Sequence, residues 1–167
     1  MPFLIKKYFL DFIVFFTGFS IMTVEILGFG IMAPYFGTAL SVSSNLLGLI
    51  LFGLSIGYFW GGKVADKKGY DYFLPRILLA ISIFLGTVFL LHDLLSVYIK
   101  NNFSGIISGS LAAIFVLFVP TNILMGTILP YVVKLKISDI SSSGRSAGFL
   151  YFLSVGGSIL GTFGAGF

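Results

Sequence analysis

One carboxylate, Glu25, interrupts an apolar run over residues 15–34 that holds no other ionisable group. A charge at membrane depth costs about 2.5 kcal/mol or more on insertion scales, so this side chain must meet protein, water, a proton or a cation. Two chemical roles fit: counter-ion to a cationic substrate, or a proton-coupled carboxylate. The structural alternative is a residue that reaches the outer interface or accepts hydrogen bonds from a neighbouring helix. In another apolar run Pro120 removes a backbone donor and frees a carbonyl, and Thr121 and Asn122 follow it directly. They either satisfy the freed backbone locally or line a polar site near the bilayer midplane. His92, the single histidine, stands beside Asp93, and the chain has no cysteine. No metal-ligand set or catalytic triad can be assembled from these residues, and an interfacial His92–Asp93 pair is expected. Without a nucleophile–base pair the chain reads as a non-enzyme that needs no cofactor.

These residues are carried by long apolar segments. The 167 residues are 57% hydrophobic and only 10% charged, with a mean hydropathy of +1.08, which excludes a soluble domain. About 20 apolar residues span a bilayer, and five stretches qualify, at about 8–33, 42–62, 74–99, 106–133 and 146–167. The expected fold is therefore an all-α polytopic bundle of five membrane helices in one domain, 1–167. The first run is too long for a signal-peptide core and reads as a retained helix.

The net charge of +4 would suit nucleic acid in a soluble protein, but here its distribution reports topology. Lys6, Lys7, Lys63, Lys67, Lys68, Arg76, Lys134, Lys136 and Arg145 fall on one side if the spans alternate, with Lys100 opposite. The positive-inside bias then puts the N-terminus and the 2–3 and 4–5 loops in the cytoplasm and Phe167 outside, in the cell (inner) membrane. The lipid bilayer is the partner this composition demands; nucleic acid is not one.

Two segments repeat in order. Gly30-Ile31-Met32-Ala33-Pro34-Tyr35 is similar to Gly126-Thr127-Ile128-Leu129-Pro130-Tyr131, and Leu51-Phe52-Gly53-Leu54-Ser55-Ile56-Gly57 to Leu150-Tyr151-Phe152-Leu153-Ser154-Val155-Gly156. Units starting three spans apart enter the membrane in opposite directions, so this reads either as an incomplete 3+3 inverted repeat or as chance recurrence of common membrane residues. Gly53, Gly57 and Gly61, and likewise Gly157, Gly161 and Ala165, recur every four residues as flat stripes for close helix packing.

The loop Gly62-Lys63-Val64-Ala65-Asp66-Lys67-Lys68-Gly69 resembles the Gly-x-x-x-Asp-Arg/Lys-x-Gly signature between helices 2 and 3 of the major facilitator superfamily, with Gly62, Asp66, Lys67 and Gly69 matching. The resemblance implies a switching role for Asp66; on its own, Asp66 equally suits a helix cap or an offset to the adjacent lysines. Glu25-Ile26-Leu27-Gly28, Ala33-Pro34-Tyr35-Phe36-Gly37, Gly57-Tyr58-Phe59-Trp60-Gly61-Gly62, Pro120-Thr121 and Gly144-Arg145-Ser146-Ala147-Gly148 resemble the membrane domain of fused spermidine-synthase-like proteins. That resemblance implies half of a major-facilitator-type bundle next to an aminopropyltransferase-like domain. No Gly-rich nucleotide loop or acidic cluster of such a catalytic domain is present in this sequence.

The resulting expectation is recognition or transport of a small cationic, polyamine-like molecule. Glu25 would be the charge partner, Thr121 and Asn122 a midplane polar site, and Asp66 with Arg145 the control of the cytoplasmic face. A half-domain needs a homodimer or a partner membrane or enzyme chain to enclose a path. The alternative is a non-transporting anchor that holds a spermidine-synthase-like enzyme through Lys63, Lys67, Lys68 and Arg76.

Overall fold

The structure, a computed structural model, describes residues 3–67, 73–136 and 143–167. Six helices carry nearly all of them: α1 (Phe3–Phe36), α2 (Leu40–Ala65), α3 (Phe73–Asn102), α4 (Ile106–Leu117), α5 (Val119–Lys136) and α6 (Ser143–Gly166). No strand occurs among the described residues. Helices α1, α2, α3 and α6 are each long and apolar enough to cross a membrane, and α4 with α5 does so as a pair bent by 48°. The chain thus has four such helices, or five spans with the bent pair counted as one.

The fourth expected span is broken because of Pro120. A proline lacks the N–H that would bond to the carbonyl four residues back, and its ring disfavours helical geometry in the residue before it. Both effects act on the N-terminal side, and the break accordingly falls at Phe118, two residues ahead. Pro130, also expected to interrupt this span, remains within α5. Its missing donor leaves α5 continuous there.

Glycine decides which helices pair most closely. A Cβ on Gly57 would overlap the Ile123 carbonyl oxygen, one on Gly61 would stand 2.5 Å from that of Thr127, and one on Gly53 3.1 Å from that of Val119. Gly126 returns the contact, 2.8 Å from the Leu54 carbonyl oxygen. Successive glycines of α2 meet successive turns of α5 in the same order, so the two helices run parallel. In the second pair, Gly157 and Gly161 of α6 meet the carbonyls of Phe15 and Phe19, and Gly18 of α1 meets that of Ser154. The expected glycine stripes are therefore the seams of two parallel pairs, α2–α5 and α1–α6, which run in opposite directions. Such approach replaces hydrophobic burial, which lipid does not supply, with dispersion and carbonyl contact.

Helix α5 touches every other helix, whereas α2 and α6 do not touch each other. The core is accordingly richest on α5, where Met125, Ile128, Leu129, Tyr131 and Val132 are buried. Helix α3 lies at the periphery and leaves Leu79, Ile83, Phe84, Phe89 and Leu90 exposed, as a lipid-facing surface requires.

Polar staples close both ends. At the end where α1 begins, Lys134 pairs with Asp66 of α2 at 3.0 Å, and Lys136 pairs with Asp11 of α1. Lys136 also lies 5.0 Å from the centre of the Phe149 ring of α6. The last turn of α5 thus holds both parallel pairs at once. At the opposite end the Tyr35 hydroxyl donates to Asp93, the His92 Nε2 atom lies 3.4 Å from the same carboxylate, and Asn45 donates to Ser110 at 2.9 Å. The expected His92–Asp93 pair is present and has acquired Tyr35.

The two ion pairs differ in burial, and their effects should differ accordingly. Lys136 and Asp11 keep 7% and 17% of their side chains exposed, against 60% and 72% for Lys134 and Asp66. Asp11→Asn strands a largely buried ammonium and is expected to lower stability by about 2 kcal/mol. Asp66→Asn is expected to cost about 0.5 kcal/mol or less, since exposed pairs contribute little. Thermal unfolding of both variants in one detergent checks this, and equal midpoints would contradict it.

Candidate functional site

Along α1 the buried positions Val14, Gly18, Ile21, Gly28, Met32 and Phe36 recur every three or four residues. Glu25 falls on that stripe, between Ile21 and Gly28, and is partly buried. At 100° per residue it points nearly as Gly18 does, toward the α6 side. It lies about half a turn round from Phe9 and Phe16, which line the groove against α3. Among the described residues no hydrogen bond or ion pair reaches its carboxylate. Neither structural alternative from the sequence, an interfacial contact or acceptance of hydrogen bonds from a neighbour, is seen as a bond to this side chain.

Thr121 and Asn122 occupy the first turn of α5, and their side chains are 1% and 0% exposed. The Asn122 amide donates to the Phe118 carbonyl at 2.9 Å, an oxygen that already accepts from the Asn122 backbone amide and is not the Val116 carbonyl that Pro120 leaves without its donor. Its Oδ1 atom and the Thr121 Oγ1 atom are buried without a partner. The local role of Asn122 therefore uses half of its side chain, and Thr121 has no such role.

Glu25 and these two residues lie at matching depth. A Cβ on Gly28 would stand 3.4 Å from the Phe118 ring and 3.3 Å from Leu46. Helices α1 and α5 run antiparallel, so one turn back along α1 reaches Glu25 and one turn on along α5 reaches Thr121 and Asn122. With about 1.5 Å of rise per residue, Glu25 is about 17 Å from the end of α1 and Thr121 about 22 Å from the start of α4.

Removing an unpartnered buried hydroxyl should relieve a cost. Thr121→Val keeps the side-chain shape and is expected to raise the stability of the ligand-free protein by about 1 kcal/mol. A fall in the unfolding midpoint would show that Oγ1 has a partner at rest.

The remaining expected site residues lie at the end where α1 begins. Asp66 caps α2, its backbone amide donating to Gly62 at 3.2 Å, and its carboxylate reaches Lys134. Lys67 and Arg145 are exposed. Arg145, on the first turn of α6, makes no ion pair among the described residues, so the structure does not bring Asp66 and Arg145 together. Gly69 and Lys68 lie outside the described residues. Sequence reasoning did not find Lys134 and Lys136 as the partners of Asp66 and Asp11; the signal was two basic residues in the last turn of a span that returns to the same side. It also did not find Tyr35 as the partner of Asp93.

Two grooves stand out among the described residues. One, of about 430 Å³, runs between α1 and α3 over Met125 and Ile128 of α5; the other, of about 200 Å³, lies by Tyr35, Lys100 and Ser104. Neither contains Glu25, Thr121 or Asn122. No group of three or more His, Cys, Asp or Glu side chains suited to a metal ion occurs among the described residues.

Compared with protein-family models, curated proteins and solved structures, the chain matches none.

Proposed function

We propose that the bundle recognises a small cationic molecule inside the membrane and carries it across. The observation that supports this reading is a pair of buried oxygens without a partner, Thr121 Oγ1 and Asn122 Oδ1, within about one helical turn of the level of the partly buried Glu25, whose carboxylate no hydrogen bond or ion pair reaches among the described residues. A buried acceptor without a donor costs about 1–3 kcal/mol, and more when it is charged. An ammonium group, with a full charge and several N–H donors, relieves that cost in one binding event.

On this reading the basic end of the bundle is cytoplasmic, the host is the cell membrane, and the Asp66–Lys134 pair is the contact that changes as the cytoplasmic side opens. An inverted repeat that exchanges the first span with the fourth and the second with the fifth would exchange the α1–α6 and α2–α5 pairs, which supports two opposed units rather than one. A homodimer or a partner membrane chain completes the enclosure. Polyamines enter through the resemblance of the sequence to fused spermidine-synthase-like proteins.

The test is calorimetric titration of the purified chain in nanodiscs with spermidine, putrescine and ethylamine. Saturable heat from at least one amine, absent with a neutral amide of equal size, is expected. A folded protein that takes up none of them sinks the reading and turns attention to the anchoring alternative, in which exposed Lys63, Lys67 and Arg76 face an enzyme partner.

A further inference from the structure

The larger groove is apolar and opens to the outside of the bundle. Phe9, Phe12 and Phe16 of α1 form one wall, each about half exposed, with the Phe12 and Phe16 rings 4.3 Å apart. Leu78, Ser82 and Leu85 of α3 form the other wall, and α5 closes the floor. Its hydroxyls are mostly spent on their own helices. Thr17 donates to the Ile13 carbonyl at 2.7 Å and Ser82 to that of Leu78 at 3.0 Å, so of the lining hydroxyls only that of Ser20 has no partner among the described residues. A polar solute finds little to bond there, whereas a hydrocarbon chain finds a continuous apolar bed.

Length and charge say which chain it fits. From Phe9 to Ser20, α1 rises about 17 Å at about 1.5 Å per residue, close to half of the roughly 30 Å hydrocarbon core of a bilayer. The groove starts at the level of the Asp11–Lys136 pair, at the basic end of the bundle, and stops before Glu25. A membrane helix of a partner needs a bed along the full thickness, and this groove supplies one leaflet of it, which is what an acyl chain occupies. At its mouth the sequence places two basic residues, Lys6 three positions before Phe9 on α1 and Arg76 two positions before Leu78 on α3. Arg76 is exposed and makes no ion pair among the described residues. Basic residues beside the bilayer surface attract anionic headgroups.

We propose that the α1–α3 groove seats one acyl chain of an anionic phospholipid from the leaflet at the basic end, its phosphate drawn to the mouth by Lys6 and Arg76. The lipid then joins α1 to α3 at this end, as Tyr35 and Asp93 join them at the other. The site is separate from the proposed amine site, since the groove contains none of Glu25, Thr121 and Asn122.

The experiment is native mass spectrometry of the chain released from nanodiscs of equal phosphatidylglycerol and phosphatidylcholine, for the native protein, Ser82→Phe, Thr17→Leu and the double variant Lys6→Gln/Arg76→Gln. One retained phospholipid per chain is expected, with phosphatidylglycerol favoured by about fivefold or more, the effect of a single basic residue near the surface. Ser82→Phe and Thr17→Leu fill the groove from opposite walls without altering charge, and each should release the lipid. The double glutamine variant should still retain a lipid but lose the preference. Retention undiminished by either filled groove would overturn the seat, and so would a native chain that keeps no lipid. Equal retention of the two lipids by the native chain, or a preference that survives the double variant, would overturn the anionic headgroup. A lipid-free dimer that Ser82→Phe splits would put a second copy of the chain in the groove instead.

Discussion

Glu25→Gln is expected to weaken amine binding by roughly threefold to thirtyfold, and by more where the bundle is dry. The size follows from what the substitution removes. Glutamine keeps the volume and an acceptor oxygen but loses the charge, and charge-assisted hydrogen bonds contribute about 1.5–3 kcal/mol against about 1 for neutral ones. Low dielectric inside the bundle enlarges the difference. The same change should not harm the fold, because no residue of the described chain donates to this carboxylate and the neutral side chain is easier to hold in lipid. The ligand-free variant should therefore unfold at the same temperature as the native protein or above it. Unchanged amine affinity in a folded Glu25→Gln protein would remove Glu25 from recognition; a collapse of the fold would instead assign it a structural role.

Two adjacent glycines should behave in opposite ways. Gly157 faces α1 so closely that a Cβ would overlap the Phe15 carbonyl oxygen, whereas nothing lies within 4 Å of the corresponding position on Gly156. The obstructing atom is backbone on a helix that cannot yield locally, so Gly157→Leu must push α1 and α6 apart along the whole seam. Ordinary overpacking costs about 1–3 kcal/mol, and a backbone clash repeated at Gly161 and Gly18 exceeds that range. We expect Gly157→Leu to fail to give a folded protein in detergent, and Gly157→Ala to lower the unfolding midpoint strongly. Gly156→Ala should be neutral or stabilising by about 0.5–1 kcal/mol through helix propensity. Equal effects of the two alanine substitutions would mean that the α1–α6 seam is not as close as described.

How much of this was legible beforehand depends on the range of the interaction. Helical periods and breaks are local: apolar length gave the spans, and Pro120 gave the break, because one residue acts on its own turn. The glycine stripes were also readable, since spacing of four is a property of a single helix. Their mates were not, because nothing in Gly57 names Ile123 rather than another carbonyl. Asp11 shows the same limit. Nothing adjacent to it in the sequence names Lys136, distant in the chain, which is its partner in space. Thr121 and Asn122 were legible as polar residues behind a proline, with both a local and a functional role open. Only the structure separates the amide of Asn122, which is used, from the two oxygens, which are not.

The α1–α6 seam also constrains how the protein is made. Thr23 and Gly161, which meet across it at 3.5 Å, lie 138 positions apart in the chain. Helix α1 therefore waits, with its flat face unmatched, until α2 to α5 and most of α6 have been synthesised. During that interval α1 must be sheltered by lipid, by the insertion machinery or by a passing neighbour, with Glu25 exposed to whichever of these it meets. Late closure of so distant a contact is slow and prone to wrong pairing. Synthesis past α6, rather than insertion of α1, is then the step that commits this chain to its final arrangement.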